Sequence, residues 1–240
     1  MNKLKAENIH KSYGKKEVLK GINIEVNSGE VVALLGPNGA GKTTFFYSLV
    51  GLINASNGKI ILNDQEITNY PIYLRGKMGI GYLPQENSIF RDMTVEENIL
   101  TILEIKYKDK EQRNKRLKKL LSEFGITRIR NSNAQSLSGG ERRRVEIARC
   151  LASDPNFVLL DEPFAGVDPI AVADIRELVL HLKDRDIGVI ITDHNVRETL
   201  EVVDRAYIIF DGKVLCEGNQ KEILANNKVK KYYLGKNFKI

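Results

Sequence analysis

Hydrophobic and polar residues alternate along the first thirty positions of the chain. The stretches LKAENIH and VLKGINIEV follow this alternation and lead into the turn-forming residues NSGE at 27–30. A period of two residues is typical of a half-buried strand, so we predict an antiparallel β opening. The uninterrupted apolar run VVALL at 31–35 instead predicts a fully buried strand, followed by a helix from Lys42 to about Val50.

Helical periodicity replaces the strand pattern in the middle of the chain. Apolar residues recur at helical intervals over about 94–124 and again over 139–152. Strand-like runs return at 156–163 and 188–194, and a helical stretch follows each of them. Such βα units favour a parallel sheet with right-handed crossovers.

A two-residue turn at Asp211-Gly212 predicts a closing hairpin. Together these patterns predict an α/β fold in which a mostly helical segment interrupts the series of strands. We expect a core with an antiparallel β subdomain over residues 1–86 and 155–240, and an α-helical subdomain inserted over 87–154.

The composition is that of an ordinary globular protein, with 240 residues of which 42% are hydrophobic and 28% charged. The apolar runs are only strand-sized, and the opening MNKLKAENIH has no apolar signal core. We therefore expect a cytoplasmic protein without a membrane span. Cys150 and Cys216 lie far apart, which predicts inert thiols and not a disulfide framework.

Much of the net charge of +6 is concentrated in KYKDKEQRNKRLKK at 106–119. Apolar residues at helical intervals accompany this run, namely Ile105, Leu117, Leu120, Leu121 and Phe124. Tyr107 is the one aromatic residue interleaved with the basic ones, which is too few for a series of stacked bases. The run therefore predicts a solvated helix face, and we expect no nucleic-acid partner.

The eight residues GPNGAGKT at 36–43 fit the spacing G-x-x-x-x-G-K-[ST] and lie between a predicted strand and a predicted helix. Glycines at these positions let backbone N–H groups surround phosphate oxygens, and the helix N-terminus adds a partial positive charge. We expect Lys42 to reach the β- and γ-phosphates and Thr43 to hold Mg²⁺. The predicted nucleotide contacts of this loop are Gly36, Pro37, Asn38, Gly39, Ala40, Gly41, Lys42, Thr43 and Thr44.

Polar residues also end several of the predicted strands. Asp161 closes the run FVLLD and is expected to support Mg²⁺, and Glu162 follows it as the candidate base for an attacking water. His194 and Gln85 each end a predicted strand, where the histidine could lie beside the phosphates and the glutamine amide could contact Mg²⁺ or water. Taken singly, both residue types are more often structural. Tyr13 could stack on adenine or be an ordinary turn residue.

These features occur in the order of one family, and the chain resembles an ATP-binding-cassette (ABC) ATPase over its whole length. The matching residues are Tyr13, GPNGAGKTT at 36–44, Gln85, LSGGE at 137–141, FVLLDE at 157–162, GVD at 166–168 and His194. The resemblance implies a P-loop NTPase fold, ATP and Mg²⁺ as cofactors, and ATPase activity. It also implies catalytic roles for Glu162, His194, Gln85 and Lys42, and a nucleotide contact at Asp168.

The stretch SLSGGERRRVEIAR at 136–149 opens a second helix that is suited to an anion. Ser138 can cap it, and Gly139 and Gly140 follow, but no second Lys-Ser/Thr pair or acidic strand end accompanies them. This is half of a site. In the family that the chain resembles, such a signature covers the ATP held by the other subunit, so we expect a homodimer with ATP sandwiched between its subunits. Glu141 stands where glutamine is commoner.

Three kinds of ABC ATPase remain possible: a transporter ATPase, a soluble ATPase of translation or repair, and a non-hydrolysing regulatory cassette. The second would be favoured by tandem cassettes or long coiled coils, neither of which the sequence contains. The third would lack the catalytic residues, whereas Glu162 and His194 are both present. We therefore expect a transporter motor.

Within the transporters, the informative stretch is LPQENSIFRDMTVEENI at 83–99. Members of the family use this region to grip a membrane subunit, so Phe90 and Arg91 are the expected contacts with two transmembrane permease subunits. Alternatively, Ile89 and Phe90 belong to the core of the helical subdomain. The stretches ENSIFR and ITDHNVRETL make the chain similar to the lipopolysaccharide-export branch of the family; the branched-chain amino-acid importers, which share a YLG ending, are the alternative.

The lipopolysaccharide resemblance implies a subunit attached peripherally to the cytoplasmic face of an inner membrane, without direct contact to the lipid substrate. The C-terminal stretch VKKYYLGKNFKI at 229–240 is apolar for a free end. We expect it to pack across the facing subunit of a dimer. Association of this basic, aromatic stretch with a membrane is the alternative.

Overall fold

A computed structural model describes residues 2–167, 169–235 and 238 of the protein. Asp168, which the family resemblance assigns to the nucleotide, lies outside these residues. So does part of the C-terminal stretch on which the dimer expectation rests, at positions 236, 237, 239 and 240.

In the part of the chain that the structure describes, ten strands form two sheets. They are β1 Lys3–Tyr13, β2 Lys16–Asn27, β3 Val31–Leu35, β4 Asn57–Leu62, β5 Gln65–Glu66, β6 Ile80–Leu83, β7 Phe157–Asp161, β8 Gly188–Thr192, β9 Arg205–Phe210 and β10 Lys213–Gly218. One sheet is antiparallel, in the order β2-β1-β4-β5, as the alternating opening predicted. The other has the order β10-β9-β3-β8-β7-β6, and only its β9–β10 hairpin is antiparallel.

Eight helices longer than one turn accompany these strands in the described residues. They are α1 Lys42–Val50, α2 Ile72–Lys77, α3 Val95–Lys106, α4 Lys110–Glu123, α5 Gly139–Leu151, α6 Pro169–Asp184, α7 Val196–Val202 and α8 Gln220–Ala225. A C-terminal segment, residues 227–235, adds a short α-helix Asn227–Val229 and a one-turn π-helix Lys230–Leu234. No described helix is both long enough and apolar enough to cross a bilayer.

The six-stranded sheet is buried on both faces because its strands alternate between two hydrophobic clusters. In β7, Val158 and Leu160 pack with the helices α3 to α6, whereas Phe157 and Leu159 pack with α1 and the antiparallel sheet. This burial explains why β3, β7 and β8 read as unbroken apolar runs. The division into a core over 1–86 and 155–240 and a helical subdomain over 87–154 stays a prediction.

The strand ends differ slightly from the sequence prediction. Strand β8 ends at Thr192 and β6 at Leu83, so His194 and Gln85 lie in the loops just beyond the strands. Ile105 was expected on the apolar face, but it is 76% exposed. The reason is that Ile105 lies within α3 but about 200° round the helix from the buried Leu103, and the chain breaks at 107–109 before α4 begins, so Ile105 does not share the apolar face of α4.

The C-terminal segment packs on its own chain. Val229 is fully buried, and Tyr233 and Leu234 pack on a cluster formed mainly by β3 and β9. Tyr232 stays 43% exposed, and its ring centroid lies 5.0 Å from that of Phe210. Tyr233 and Leu234 thus have packing partners in their own chain, and the expectation that this apolar stretch packs across a facing subunit stays a prediction.

Arg75 holds the C-terminal end of α1 in place. The side chain is fully buried, and its guanidinium donates to the carbonyl oxygens of Ser48, Leu49, Thr68 and Tyr70 at 2.7 to 2.8 Å. The first two carbonyls belong to the last turn of α1, which leaves carbonyls without a partner inside the helix. The helix that begins at the phosphate loop is thus anchored at its far end by one cation.

We predict that Arg75→Met lowers the free energy of unfolding by about 3 kcal/mol, because four buried carbonyl groups lose their donors. For a chain of this size that corresponds to a fall of roughly 6–12 °C in Tm, measured by calorimetry. Arg113→Met is the matched control, since that guanidinium is partly exposed and lies 3.6 Å from Glu104. Equal losses in the two variants would contradict the anchoring role.

Candidate functional site

The loop between β3 and α1 presents backbone donors without a side-chain cap. Gly36, Gly39 and Gly41 have φ values of 147°, 78° and 103°, which strongly favour glycine. A Cβ on Gly36 would lie 2.0 Å from the carbonyl oxygen of Ile209. No side chain caps α1 and no acidic residue occupies its first turn, so its N–H groups can receive an anion.

Lys42 closes this loop from inside. Its ammonium donates to the carbonyl oxygens of Gly36 at 2.6 Å and Pro37 at 3.1 Å, and only 8% of the residue is exposed. Burial lowers the pKa of Lys42, and the nearby Glu162 charge opposes that fall. A buried cation held only by neutral carbonyls is well placed to exchange them for phosphate oxygens.

Asp161 ends β7 as a buried carboxylate that faces other acids. It is 5% exposed and accepts a 3.4 Å hydrogen bond from the Tyr82 hydroxyl. Burial and the neighbouring Glu162 charge raise the pKa of Asp161 to about 6. Because the ionised form is unfavourable here without a counter-charge, the carboxylate is suited to a cation.

Glu162 sits at a turn in the backbone. Its φ is 47°, in the left-handed region, and its N–H donates to the carbonyl oxygen of Thr192 at 2.7 Å. The Glu162 carboxylate lies 3.3 Å from Nδ1 of His194, whose side chain is 58% exposed. The structure thus brings together the two side chains that the sequence placed at neighbouring strand ends.

Asp193 is a buried acid that the sequence analysis did not identify. Its carboxylate accepts the N–H of Phe164 at 2.8 Å and that of Asn195 at 2.7 Å. These bonds tie the turn after β8 to the turn after β7. Burial raises the pKa of Asp193, while the two backbone N–H groups counteract this. Asp193 could have been identified from its position between Thr192 and His194, directly after a buried strand.

The signature residues line a separate cleft of about 520 Å³. Gln85, Ser138, Gly139, Gly140 and Glu162 contribute to its wall, whereas none of the phosphate-loop residues does. The start of α5 therefore does not close over the phosphate loop of its own chain.

Ser138 and Glu141 cap the start of α5 reciprocally. The Glu141 carboxylate accepts the Ser138 N–H at 2.9 Å and its hydroxyl at 2.8 Å, and Ser138 Oγ accepts the Glu141 N–H at 3.3 Å. These hydrogen bonds, the backbone one foremost, lower the pKa of Glu141. The carboxylate thus performs the capping that a glutamine would perform and adds a negative charge.

The other predicted nucleotide contacts are mostly accessible. Asn38, Gly39 and Thr43 are exposed, and Tyr13 is 52% exposed. Tyr13 ends β1 and pairs with Lys16 of β2. Strand β2 also lies against the phosphate loop, as shown by the 2.8 Å that would separate a Cβ on Gly41 from Cδ2 of Leu19. The β1–β2 hairpin is therefore attached to the loop, although no described contact joins Tyr13 itself to it.

The oxygen donors fit magnesium held together with a nucleotide. Asp161, Thr43 and Gln85 offer carboxylate, hydroxyl and amide oxygens, which are the hard ligands that Mg²⁺ prefers. Within the described residues, no group of three or more His, Cys, Asp and Glu side chains could hold a metal by itself. Magnesium is commonly held through one or two carboxylates together with substrate phosphates and water, and Asp161 would be the carboxylate here.

A second buried acid, Glu146 of α5, holds the loop that follows Gln85. Its carboxylate accepts the N–H of Ser88 at 2.6 Å and that of Ile89 at 3.2 Å, and it is 2% exposed. Arg149 donates to the carbonyl oxygen of Ser88 at 2.8 Å and lies 4.6 Å from the Phe90 ring centroid. Neither Glu146 nor Arg149 was predicted from the sequence to have a role in the site.

The two apolar residues of this loop have different environments. Ile89 is 7% exposed and belongs to the cluster of the helices, as the core alternative proposed. Phe90 is 42% exposed and lies on Arg149 instead. The core alternative is therefore confirmed for Ile89 and wrong for Phe90.

Comparison with known proteins supports the same interpretation along the whole chain. Residues 19–165 match the family described as ABC transporter. The lipopolysaccharide export system ATP-binding proteins LptB of Haemophilus influenzae and Escherichia coli K12 are each 52% identical to this chain, with 100% of both chains covered. An uncharacterized ABC transporter ATP-binding protein of Rhizobium meliloti is 55% identical over 98% of this chain and 87% of its own length.

Solved structures agree with these relatives. An ATP-binding cassette of an ABC transporter in its ADP conformation superposes with a TM-score of 0.88 at 33% identity, covering 98% of this chain and 100% of that one. A dimeric cassette in a post-hydrolysis state, bound to ADP and Pi, has a TM-score of 0.76 at 28% identity, with 90% and 98% covered.

We predict that Asp161→Asn raises the Tm of the nucleotide-free protein at pH 7.5. The raised pKa means that protonation of Asp161 stabilises the fold; this stabilisation is fully present only below the unfolded-state pKa of 3.8 and is lost as the pH rises through about 6. A permanently neutral amide removes that loss, with about 2–4 °C expected for each kcal/mol recovered. The gain should shrink toward pH 5.

The same variant should lose the additional stabilisation that Mg²⁺ and ATP together give the parent protein, because the amide offers the ion no charge. Asp64→Asn is the control, since Asp64 is exposed in the turn after β4. A fall in Tm at pH 7.5 without ligand, or undiminished stabilisation by Mg²⁺ and ATP, would contradict the role assigned to Asp161.

Proposed function

Since this chain belongs to the ABC transporter family and is an ATPase, we propose that it is the motor subunit that drives lipopolysaccharide out of a bacterial inner membrane. The full-length likeness to two LptB proteins is the observation that carries this proposal. The exposure of Phe90 supports a membrane-protein client over a soluble ATPase of translation or repair. The chain would then lie against the cytoplasmic face of the membrane, attached through two permease subunits.

ATP binding follows from the phosphate loop. The N–H groups of the loop and of the first turn of α1 would receive the phosphates, and Lys42 would turn from the Gly36 and Pro37 carbonyls to the β- and γ-phosphates. Asp161, Thr43 and Gln85 would hold Mg²⁺, which when bound neutralises charge on the phosphate oxygens. Tyr13 would stack on the adenine, carried there by the β1–β2 hairpin.

Hydrolysis requires a base beside the γ-phosphate. Glu162 would orient the attacking water and take its proton, and such a base contributes about 10²–10⁴-fold in rate. His194, 3.3 Å from the Glu162 carboxylate, would fix the orientation of that carboxylate and approach the γ-phosphate. The bonds of Asp193 to Phe164 and Asn195 would hold the two turns that carry this pair.

The second half of each ATP site would come from another copy of the chain. The start of α5 has N–H donors and a Ser138 cap, but it does not line its own phosphate loop, so two chains placed head to tail would complete two sites. Gly139 and Gly140 keep the backbone accessible to the γ-phosphate. Asp168 is assigned to the same interface from the family resemblance.

Motion would reach the membrane subunits through α5. Its N-terminus would meet ATP, while Glu146 and Arg149 in its later turns hold Ser88, Ile89 and Phe90. Phe90 would insert into an apolar depression of a membrane helix, and Arg91 would contact its polar rim. The lipid itself would touch only the permease subunits.

We predict that the composite site can be shown by mixing lesions in a Glu162→Gln background, where ATP binds without turnover. One subunit carries Lys42→Ala and the other Ser138→Arg. If each site uses Lys42 of one chain and Ser138 of the other, both lesions fall in one site and the second remains complete. One occluded ATP per dimer is expected, measured with radiolabelled nucleotide after gel filtration.

The matched control places both substitutions in one chain and pairs it with a chain that has neither. Each site then contains one lesion, so occlusion should be strongly reduced at both. Equal occlusion in the two arrangements would contradict a site shared between chains.

We further predict that Phe90→Ala prevents co-purification with the membrane subunits while ATP binding by the isolated chain stays unchanged. A buried aromatic anchor is worth on the order of 2 kcal/mol or more, about thirtyfold in affinity. Leu180→Ala is the control, because Leu180 is similarly exposed at 46% but lies on α6. Full co-purification of Phe90→Ala would exclude the anchor role.

The transported substrate needs its own test. The chain, purified with its two membrane partners and reconstituted into vesicles that contain lipopolysaccharide, should remove that lipid only with ATP and Mg²⁺. Glu162→Gln is the inactive control. ATP-driven uptake of a branched-chain amino acid, with lipopolysaccharide left in place, would replace the proposed substrate.

A further inference from the structure

Lys11 of β1 lies over one face of the Tyr13 ring. Its ammonium nitrogen is 5.2 Å from the ring centroid, a distance at which a cation is attracted to the face of an aromatic ring. Tyr13 is 52% exposed, so the other face of the ring is accessible to a planar group. One side of the tyrosine proposed to stack on adenine is thus held by a cation of its own strand.

The Lys11 ammonium is itself fixed in place. It donates a hydrogen bond to the carbonyl oxygen of Asn54 at 2.6 Å, in the loop that follows α1. In the described part of the chain, the ammonium has the ring and this carbonyl as partners and forms no ion pair with a carboxylate. Neutralisation of an acid therefore does not account for a lysine at this position.

Backbone contacts join the same strand end to the same loop. The Ser56 N–H donates to the His10 carbonyl oxygen at 2.7 Å, and the Ser12 N–H donates to Ser56 Oγ at 3.1 Å. The loop follows directly on α1, the helix that begins at the phosphate loop. The end of β1 is therefore held at a set distance from the phosphate loop, with α1 as the spacer. These bonds fix the backbone beside Tyr13, whereas the contact from Lys11 acts on the ring.

We propose that Lys11 is a positioning residue for the adenine base of ATP, which holds the Tyr13 ring from one side so that the other side is presented to the base. This inference rests on the proposed nucleotide site and assigns a new residue to it. Lys11 contacts the ring on the side away from the base, so it acts on binding only through Tyr13. Without Lys11 the ring would have to be ordered at the expense of ATP affinity.

The test compares Lys11→Leu with Lys77→Leu in full-length Glu162→Gln protein, with Mg²⁺ present. Lys77 is the matched control, because its ammonium lies 5.9 Å from the centroid of the Tyr73 ring on α2. For Lys11→Leu we expect the Kd of ATP, measured by calorimetry, to rise about three- to fivefold, the size expected for an exposed cation–π contact. Lys77→Leu should leave the Kd unchanged.

Tripolyphosphate, which has the phosphate chain without the base, is the second ligand. Its Kd should be the same in Lys11→Leu and in the parent, because the Tyr13 ring does not act on the phosphates. In a Tyr13→Ala background, Lys11→Leu should have no further effect on ATP binding. Lys11→Arg should restore the Kd of ATP, since a guanidinium can lie on the ring and donate to the Asn54 carbonyl.

Four results would each overturn the proposal: an unchanged Kd of ATP in Lys11→Leu, equal weakening of tripolyphosphate, an undiminished effect in the Tyr13→Ala background, or the same effect in Lys77→Leu. Tyr13→Ala alone tests the adenine contact. Weaker ATP binding with unchanged tripolyphosphate binding would uphold that contact even if Lys11→Leu proves neutral. Lys42→Ala should weaken both ligands, which tests the phosphate loop separately from Lys11.

Discussion

Repulsion among carboxylates at one edge of the parallel sheet is the constraint on which the site depends. Strands β7 and β8 pair in a register that places Asp161 opposite Thr192, so the acids that end or follow the two strands are forced together. Burial and the Glu162 charge raise the pKa of both Asp161 and Asp193. The folded chain therefore holds negative charge in a place where ionisation is unfavourable, and a cation bound there with a nucleotide would relieve it.

The three acids lie close together, but the surrounding structure gives each of them different hydrogen-bond and ion-pair partners. The left-handed backbone of Glu162 turns the chain immediately after Asp161, and its N–H is held by Thr192. Both carboxylate oxygens of Asp193 accept backbone N–H groups, and Asp161 accepts a hydrogen bond from the Tyr82 hydroxyl. Glu162 lies closest of the three to the partly exposed His194, at 3.3 Å from Nδ1, while Asp193 lies at 3.9 Å from the same atom. One carboxylate is thus suited to a metal, one to support of the backbone, and one to proton transfer.

Local features of this site could be predicted from the sequence because each is decided by neighbouring residues. The helix after the phosphate loop begins at Lys42 as predicted, and the hairpin turn falls at Asp211 and Gly212, with φ values of 47° and 74°. Glu146 could not be identified in this way, because its partners Ser88 and Ile89 lie 58 and 57 residues earlier. From the sequence alone, a glutamate in a helix rich in arginine is predicted to be exposed, and only the tertiary contacts show that it is buried.

Burial of single apolar residues was equally hard to predict from the sequence. Tyr233, expected to be uncovered in a single chain, packs on its own chain, whereas Ile105, expected on an apolar face, is exposed.

Helix α5 gives the proposed two-chain site a mechanical consequence. Ser138 and Arg149 lie eleven positions apart, which along an α-helix is about 16 Å. The helix is capped at its start by the Ser138–Glu141 pair and tied in its later turns to Ser88, so a shift of its start would be transmitted along the helix to the loop at Ser88. If a γ-phosphate bound to another copy attracts the capped end, the loop that presents Phe90 must follow. Closure over ATP and displacement of the membrane contact are then one motion, and ATP stabilises the closed pair by mass action.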